Sequence, residues 1–134
     1  MSIEENLVTI HIYGVLSLIV ENLSSLMKTQ PYLEFDLEQF INEEELELTI
    51  EFVDNSRIYC REAYGFENYK LKIGYYNYSF VDAFQNLIFS CDNRPHHPQI
   101  PTFPHHKHYY LKQTPVAFSG NLVDFLNEVK QKYL

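Results

Sequence analysis

Two runs of strict alternation, set back to back across a polar turn, constrain this chain more than any other feature. From Glu45 to Val53, Leu46, Leu48, Ile50 and Phe52 alternate with Glu45, Glu47, Thr49 and Glu51, the period of a strand with one buried and one wet face. Asp54-Asn55-Ser56 is turn chemistry, and the chain runs back from Arg57 to Tyr64. Parity limits the register of this hairpin. A two-residue loop would set Ile58 against Glu51, whereas a three-residue loop pairs Phe52 with Ile58, Ile50 with Cys60 and Thr49 with Arg61. The three-residue loop keeps the apolar face together, and it places Glu62 on that face, opposite Leu48.

Other elements group around the hairpin. Ile12, Val15, Leu16, Ile19, Val20, Leu23, Leu26 and Met27 recur at helical spacing, which predicts a helix from about His11 to Thr29, ended by Pro31. Leu33, Phe35 and Leu37 alternate with acids as a further strand. Strand-like runs follow at about Tyr69 to Tyr78 and Gln85 to Asp92, joined by a loop near Ser79 to Phe84. Residues Asn93 to Phe118 lack periodicity and hold five of the six prolines, and structureless segments of that length in compact domains are usually functional or disordered. A last helix begins near Ser119 to Asn121, with Leu122, Phe125, Leu126, Val129 and Tyr133 as its stripe. The fold expected is α+β: an antiparallel sheet of four or five strands packed by an N-terminal and a C-terminal helix, with a long His/Pro-rich loop. At 134 residues it is read as one domain, 1–134.

An apolar content of 46% excludes a disordered chain. The apolar stretch from Ile10 to Val20 is too short and broken to cross a bilayer, and Met-Ser-Ile-Glu-Glu lacks the charged start of a signal peptide. The expected location is therefore the cytoplasm, with no membrane partner. Cys60 and Cys91 sit in strand-like runs outside any Cys-x-x-Cys spacing, as buried reduced thiols would.

The net charge of −8 disfavours a polyanion ligand until its distribution is considered. From Asn93 to Val123 there is no acid, and Arg94, Lys107 and Lys112 give that segment +3, leaving −11 on the rest. A focused positive patch suits a local phosphate contact better than a long nucleic-acid track.

The same segment holds five of the six histidines, between His96 and His108. Three readings compete for them. In the first, His96, His97, His105, His106 and His108 supply general acid and base for metal-independent RNA cleavage. Lys107, Arg94 and Asn93 then hold the phosphate, while Tyr76 and Tyr78 stack bases. In the second, the imidazoles bind a divalent metal such as zinc: His106-x-His108 on a strand points both rings to one side, and Asp92, His96 and His97 complete the site. In the third, the segment is a solvated loop or an interaction surface without chemistry. Glu62 carries its own alternatives. A carboxylate facing a core needs a partner, either a structural cation or a histidine that it orients for catalysis. The tyrosines have a packing alternative in the sheet, and His11 reads as an ordinary structural or surface histidine.

The stretch Asp92-Asn-x-Pro-His-His followed by Thr102-Phe-Pro-His-His-Lys-His108 resembles the signature of the TumE-family toxins of prokaryotic toxin–antitoxin pairs. Phe52-x-Asp54-x-Ser56, Arg61-Glu62 and the Tyr-rich strand before Ser79 are similar to that family too, over roughly Leu46 to the C-terminus. The resemblance implies a cytoplasmic protein, toxic when unpaired from a helix-turn-helix antitoxin and acting on RNA or the ribosome; it leaves room for a homodimer. It marks Asp92, Asn93, His96, His97, His105, His106, Lys107 and His108, with Glu62 next. The chain departs from the family pattern at Ser90 and Cys91, where an arginine and an aromatic often stand, and at Asn77, where a histidine often stands.

Overall fold

The computed structural model describes residues 2–28 and 45–134, and the backbone of 32–34. In chain order these form α1 (Ile3–Leu23), a 3-10 turn (Ser24–Leu26), β1 (Tyr32–Glu34), β2 (Glu45–Glu51), β3 (Arg57–Glu67), β4 (Lys70–Val81), β5 (Leu87–Asp92), β6 (His106–Tyr109), β7 (Val116–Ala117) and α2 (Leu122–Tyr133). The α+β class holds, with seven strands in place of four or five. They lie in sequence order, every neighbouring pair antiparallel. The surplus comes mostly from the segment read as an unbroken loop, which supplies β6 and β7. The strand expected to continue through Phe35 and Leu37 lies outside the described residues beyond Glu34.

The β2–β3 hairpin has the expected parity and a register two residues away from the one expected. Ile50 pairs with Ile58, Leu48 with Cys60 and Leu46 with Glu62, so Glu62 faces Leu46 and not Leu48. The loop has three residues, but they are Val53-Asp54-Asn55: Asn55 takes a positive φ of 72°, and the Phe52 amide donates to the Ser56 carbonyl at 2.9 Å. Asp54 Oδ1 accepts from the Ser56 amide at 2.9 Å and from its hydroxyl, which buries Ser56 inside the turn. A slip of two preserves the apolar face, so hydrophobic patterning alone cannot distinguish these registers.

β3 and β4 form a longer hairpin than expected. Both central residues of its turn, Asn68 and Tyr69, have positive φ, the conformation that matches strand twist across a two-residue loop. Between Ala63 and Tyr64 the register shifts against β4, leaving Gly74 extra. This bulge lets Leu71 and Ile73 share the face of Tyr64, while Tyr76, Tyr78 and Phe80 share that of Glu62, Cys60 and Ile58. β4 also runs to Val81, so its loop to β5 is residues 82–86, organised by Asp82 accepting from the amides of Phe84 and Asn86.

Both helices cover the same face of the sheet. Val15, Ile19 and Leu23 of α1 and Leu122, Phe125, Leu126 and Val129 of α2 join Leu48, Ile50, Phe52, Tyr78, Phe80 and Phe89 in one core. Val8 and Ile12 extend it over Leu46 and Tyr64. Cys60 and Cys91 are buried free thiols, as expected. α1 begins eight residues earlier than predicted, because Ser2 caps it by accepting from the Glu5 amide. It ends at Leu23, since the chain turns at Ser24–Leu26 and then bonds to the edge of β2 through Lys28 and Glu51. With the 3-10 turn it spans 24 residues of mean hydropathy up to 1.5, long and apolar enough by composition to cross a membrane. The stretch from Ile10 to Val20 therefore understated it.

Candidate active site

Cross-strand partners point to the same side of a sheet, so the registers divide the residues from Asp92 to His108 into two sets. Asn77 pairs with Asp92, Asp92 with His106, and Ser90 with His108. These lie on the face away from the helices, which neither described helix covers. Tyr78 pairs with Cys91 and Cys91 with Lys107, and these point into the helix-covered core.

On the uncovered face four imidazoles converge. His106 and His108 stand two apart on β6, as the strand reading required, with ring centroids 4.8 Å apart. His96 and His97 come back from the proline-rich turn, 4.9 Å each from the His106 ring and 4.1 Å from one another. One ring nitrogen from each of the four lies within 4.8 Å of every other. His106 is the buried member at 1% exposure, and the others are open to a ligand to differing extents. Its Nδ1 is 2.9 Å from the Pro104 carbonyl oxygen. A carbonyl only accepts, so Nδ1 carries the hydrogen and the ring is fixed with Nε2 facing the cluster. Nε2 lies 3.1 Å from Asp92 Oδ1, yet it has no hydrogen-bond partner. The two groups are close but not aligned for a hydrogen bond. Asp92 is anchored instead by the Arg94 amide, which donates to the same oxygen at 2.9 Å. Burial and the neighbouring imidazoles hold His97 and His108 below the usual histidine pKa, against the opposing pull of Asp92. Both rings therefore favour the uncharged form, the one that offers a lone pair.

His105, marked with these four at first, belongs elsewhere. It points into the helix side, stacks on Tyr76 at 5.7 Å and hydrogen-bonds the Tyr76 hydroxyl through Nδ1 at 2.8 Å. Gly120, with φ of +89°, passes directly beneath it, and a Cβ there would sit 2.8 Å from ring atoms of His105. Gly120→Ala should therefore destabilise the fold by about 2–4 kcal/mol, combining left-handed strain with overpacking. Chemical denaturation measures this, and a loss below 0.5 kcal/mol would contradict the packing described.

Lys107 is likewise withdrawn from the cluster. It reaches Glu128 of α2 at 2.5 Å, and the Tyr109 hydroxyl donates to the same carboxylate. Burial opposes its charge, but Glu128 and Tyr109 outweigh burial and raise its pKa. Asn93 is engaged by backbone: it accepts from the Tyr76 amide and donates to the Gly74 carbonyl, both at 3.1 Å, closing the bulge in β4. Tyr76 and Tyr78 are 2% and 1% exposed, so neither ring can stack on a base. Tyr59 and Tyr75 lie on the open face instead, and the Arg94 guanidinium is 5.7 Å above the Tyr75 ring. A groove of about 270 Å³ along this face is lined by residues including Thr49, Tyr59, Arg61, Tyr75 and Asn77. It ends beside Asp92, the cross-strand partner of Asn77.

Glu62 also lies on the helix side and does not meet Asp92. It is 1% exposed and accepts from His11 at 2.9 Å, Tyr64 at 2.7 Å and Tyr78 at 2.6 Å. Burial raises its pKa, but the His11, Tyr78 and Tyr64 hydrogen bonds together outweigh burial and leave the carboxyl below its usual value. His11, read at first as ordinary, is thus a principal partner of the buried carboxylate. Asking what neutralises Glu62 was the signal that could have found it. Glu128, the partner of Lys107, was missed for the same reason.

The protein-family model described as Toxin TumE matches residues 19–133 of the 134, further toward the N-terminus than the motifs alone reach. No curated protein and no solved structure matches the chain. With a match over most of its length, carrying the Asp92-to-His108 motif at the convergence of rings described above, the chain belongs to the TumE toxin family.

Proposed function

We propose that this toxin is a cytoplasmic RNA-cleaving enzyme, restrained by a helix-turn-helix antitoxin, with its reaction centre at His96, His97, His106, His108 and Asp92. One observation carries the reading: the four imidazoles converge at the end of an uncovered, tyrosine-bearing sheet face. RNA suits that surface. Tyr75 and Tyr59 offer ring faces to unstacked bases, and Arg94 offers a guanidinium to phosphate. The ribose 2′-hydroxyl supplies an internal nucleophile whose proton an imidazole nitrogen can take. Glu45, Glu47 and Glu51 border the far end of the face and pair there with Arg57 and Arg61. They would repel bulk polyanion and favour a short or structured RNA element, such as one presented on the ribosome.

Incubation of purified toxin with total RNA and with ribosomes tests this. Cleavage is expected, at least 100-fold slower in His108→Ala, with unchanged secondary structure by circular dichroism. RNA left intact by folded wild-type protein in both settings would end the proposal.

A further inference from the structure

We propose that His97, His106 and His108, with Asp92, form a binding site for one divalent first-row transition-metal ion, with His96 at its mouth. The argument starts from the buried Nε2 of His106. Its ring orientation is fixed by the Nδ1 bond to Pro104, and its outward nitrogen is without a hydrogen-bond partner. Few native side chains leave a buried nitrogen in this condition, since the missing bond costs free energy. Asp92 Oδ1 lies 3.1 Å away without bonding to it, so a nitrogen and a carboxylate oxygen face the same point. A cation held by both supplies the missing partner. Ligand atoms sharing one ion tetrahedrally at about 2.0–2.2 Å sit about 3.4 Å from each other, close to the 3.1 Å between His106 Nε2 and Asp92 Oδ1.

Three further features fit. The rings of His97 and His108 flank the same point, with ring nitrogens already within 4.8 Å of each other, so small side-chain rotations suffice to close the sphere. The Pro104 carbonyl behind His106 is the outer partner that ligating histidines ordinarily have. An imidazole-rich set with a single carboxylate selects zinc, nickel, cobalt or iron over magnesium and calcium, which prefer oxygen. An ion so placed, with a position left open toward the groove, would polarise a phosphoryl oxygen or activate water. The binding claim stands on the cluster's geometry alone and does not depend on RNA being the substrate.

The test uses untagged, full-length protein stripped with EDTA, dialysed and titrated with Zn²⁺ and separately with Co²⁺. The expected result is one ion per chain, with Kd below 1 µM, a rise of several degrees in Tm and the visible absorption of nitrogen-ligated cobalt. His106→Asn, whose side-chain amide can still donate to Pro104, is expected to weaken binding at least 100-fold. His97→Ala provides a second loss should that variant fold poorly, and His105→Ala, on the opposite side of the sheet, is expected to bind like wild type. Absent binding, weak binding of several ions indifferent to His106→Asn and His97→Ala, or equal loss in His105→Ala would each overturn the site. One ion bound without RNA cleavage supports the site and overturns only the substrate assignment. RNA cleavage by stripped protein that takes up no ion overturns the site and leaves the substrate standing.

Discussion

Glu62→Ala is expected to cost about 3–5 kcal/mol of unfolding free energy, a large part of what a domain of this size possesses. The carboxylate is the shared acceptor for His11, Tyr64 and Tyr78. Its removal leaves two buried hydroxyls and an imidazole beside a cavity. The pH dependence carries a matching signature. Glu62 titrates lower in the folded protein than its ordinary value, so the unfolded chain binds the extra proton first. Its contribution to stability is complete above the ordinary carboxyl pKa, near 4.3, and is lost as pH falls through the folded value. Urea midpoints measured from pH 7 to pH 3 should therefore drop for wild type across the acid end. The part of that drop due to Glu62 should vanish in Glu62→Gln. A Glu62→Ala protein within 1 kcal/mol of wild type would mean that the three donors do not converge on this group in solution.

His106→Asn should abolish toxicity while leaving the protein folded. Growth arrest on induction is expected to fall by at least two orders of magnitude in the inducer concentration tolerated, the scale of losing one participant in a concerted site. Asparagine is the informative replacement because its amide nitrogen lies close to the position of Nδ1. The bond to Pro104 can survive while the outward Nε2 is lost. Alanine would confound the two, leaving the carbonyl unsatisfied and a hole at a 1% exposed position. Soluble expression and a Tm within about 5 °C of wild type are part of the expected result. Full toxicity in His106→Asn would remove the cluster from the mechanism.

What could be read from the sequence and what could not divides along the physics of strands. Alternation in Glu45–Glu51 gave the hairpin and its buried face, because burial enforces a period of two. It could not give the register, since a slip of two satisfies the same rule; the αL conformation at Asn55 and the Asp54 turn decided that. β6 and β7 were illegible as strands because prolines and histidines mask periodicity, and each strand is set by pairing with a neighbour more than by its own residues. Within the candidate site, His106-x-His108 correctly put two rings together. The same parity, applied one residue further, would have sent His105 and Lys107 to the opposite side. Crowding along the chain is not crowding in space, because a strand sends successive side chains to opposite faces. The helical partners of Glu62 and Lys107, His11 and Glu128, by contrast, lie 51 and 21 residues away, a distance that no local pattern spans.

The sheet also acts as a partition. Stability is concentrated beneath the helices, in contacts such as His11 to Glu62 and Lys107 to Glu128, whereas the four convergent imidazoles occupy the other side and come from one run of 13 residues. Selection for survivors of toxin expression should therefore return two spatially disjoint groups. One would accumulate as aggregated or degraded chain, with lesions scattered over the whole sequence. The other would be abundant and well folded, with its lesions centred on Asp92, His96, His97, His106 and His108.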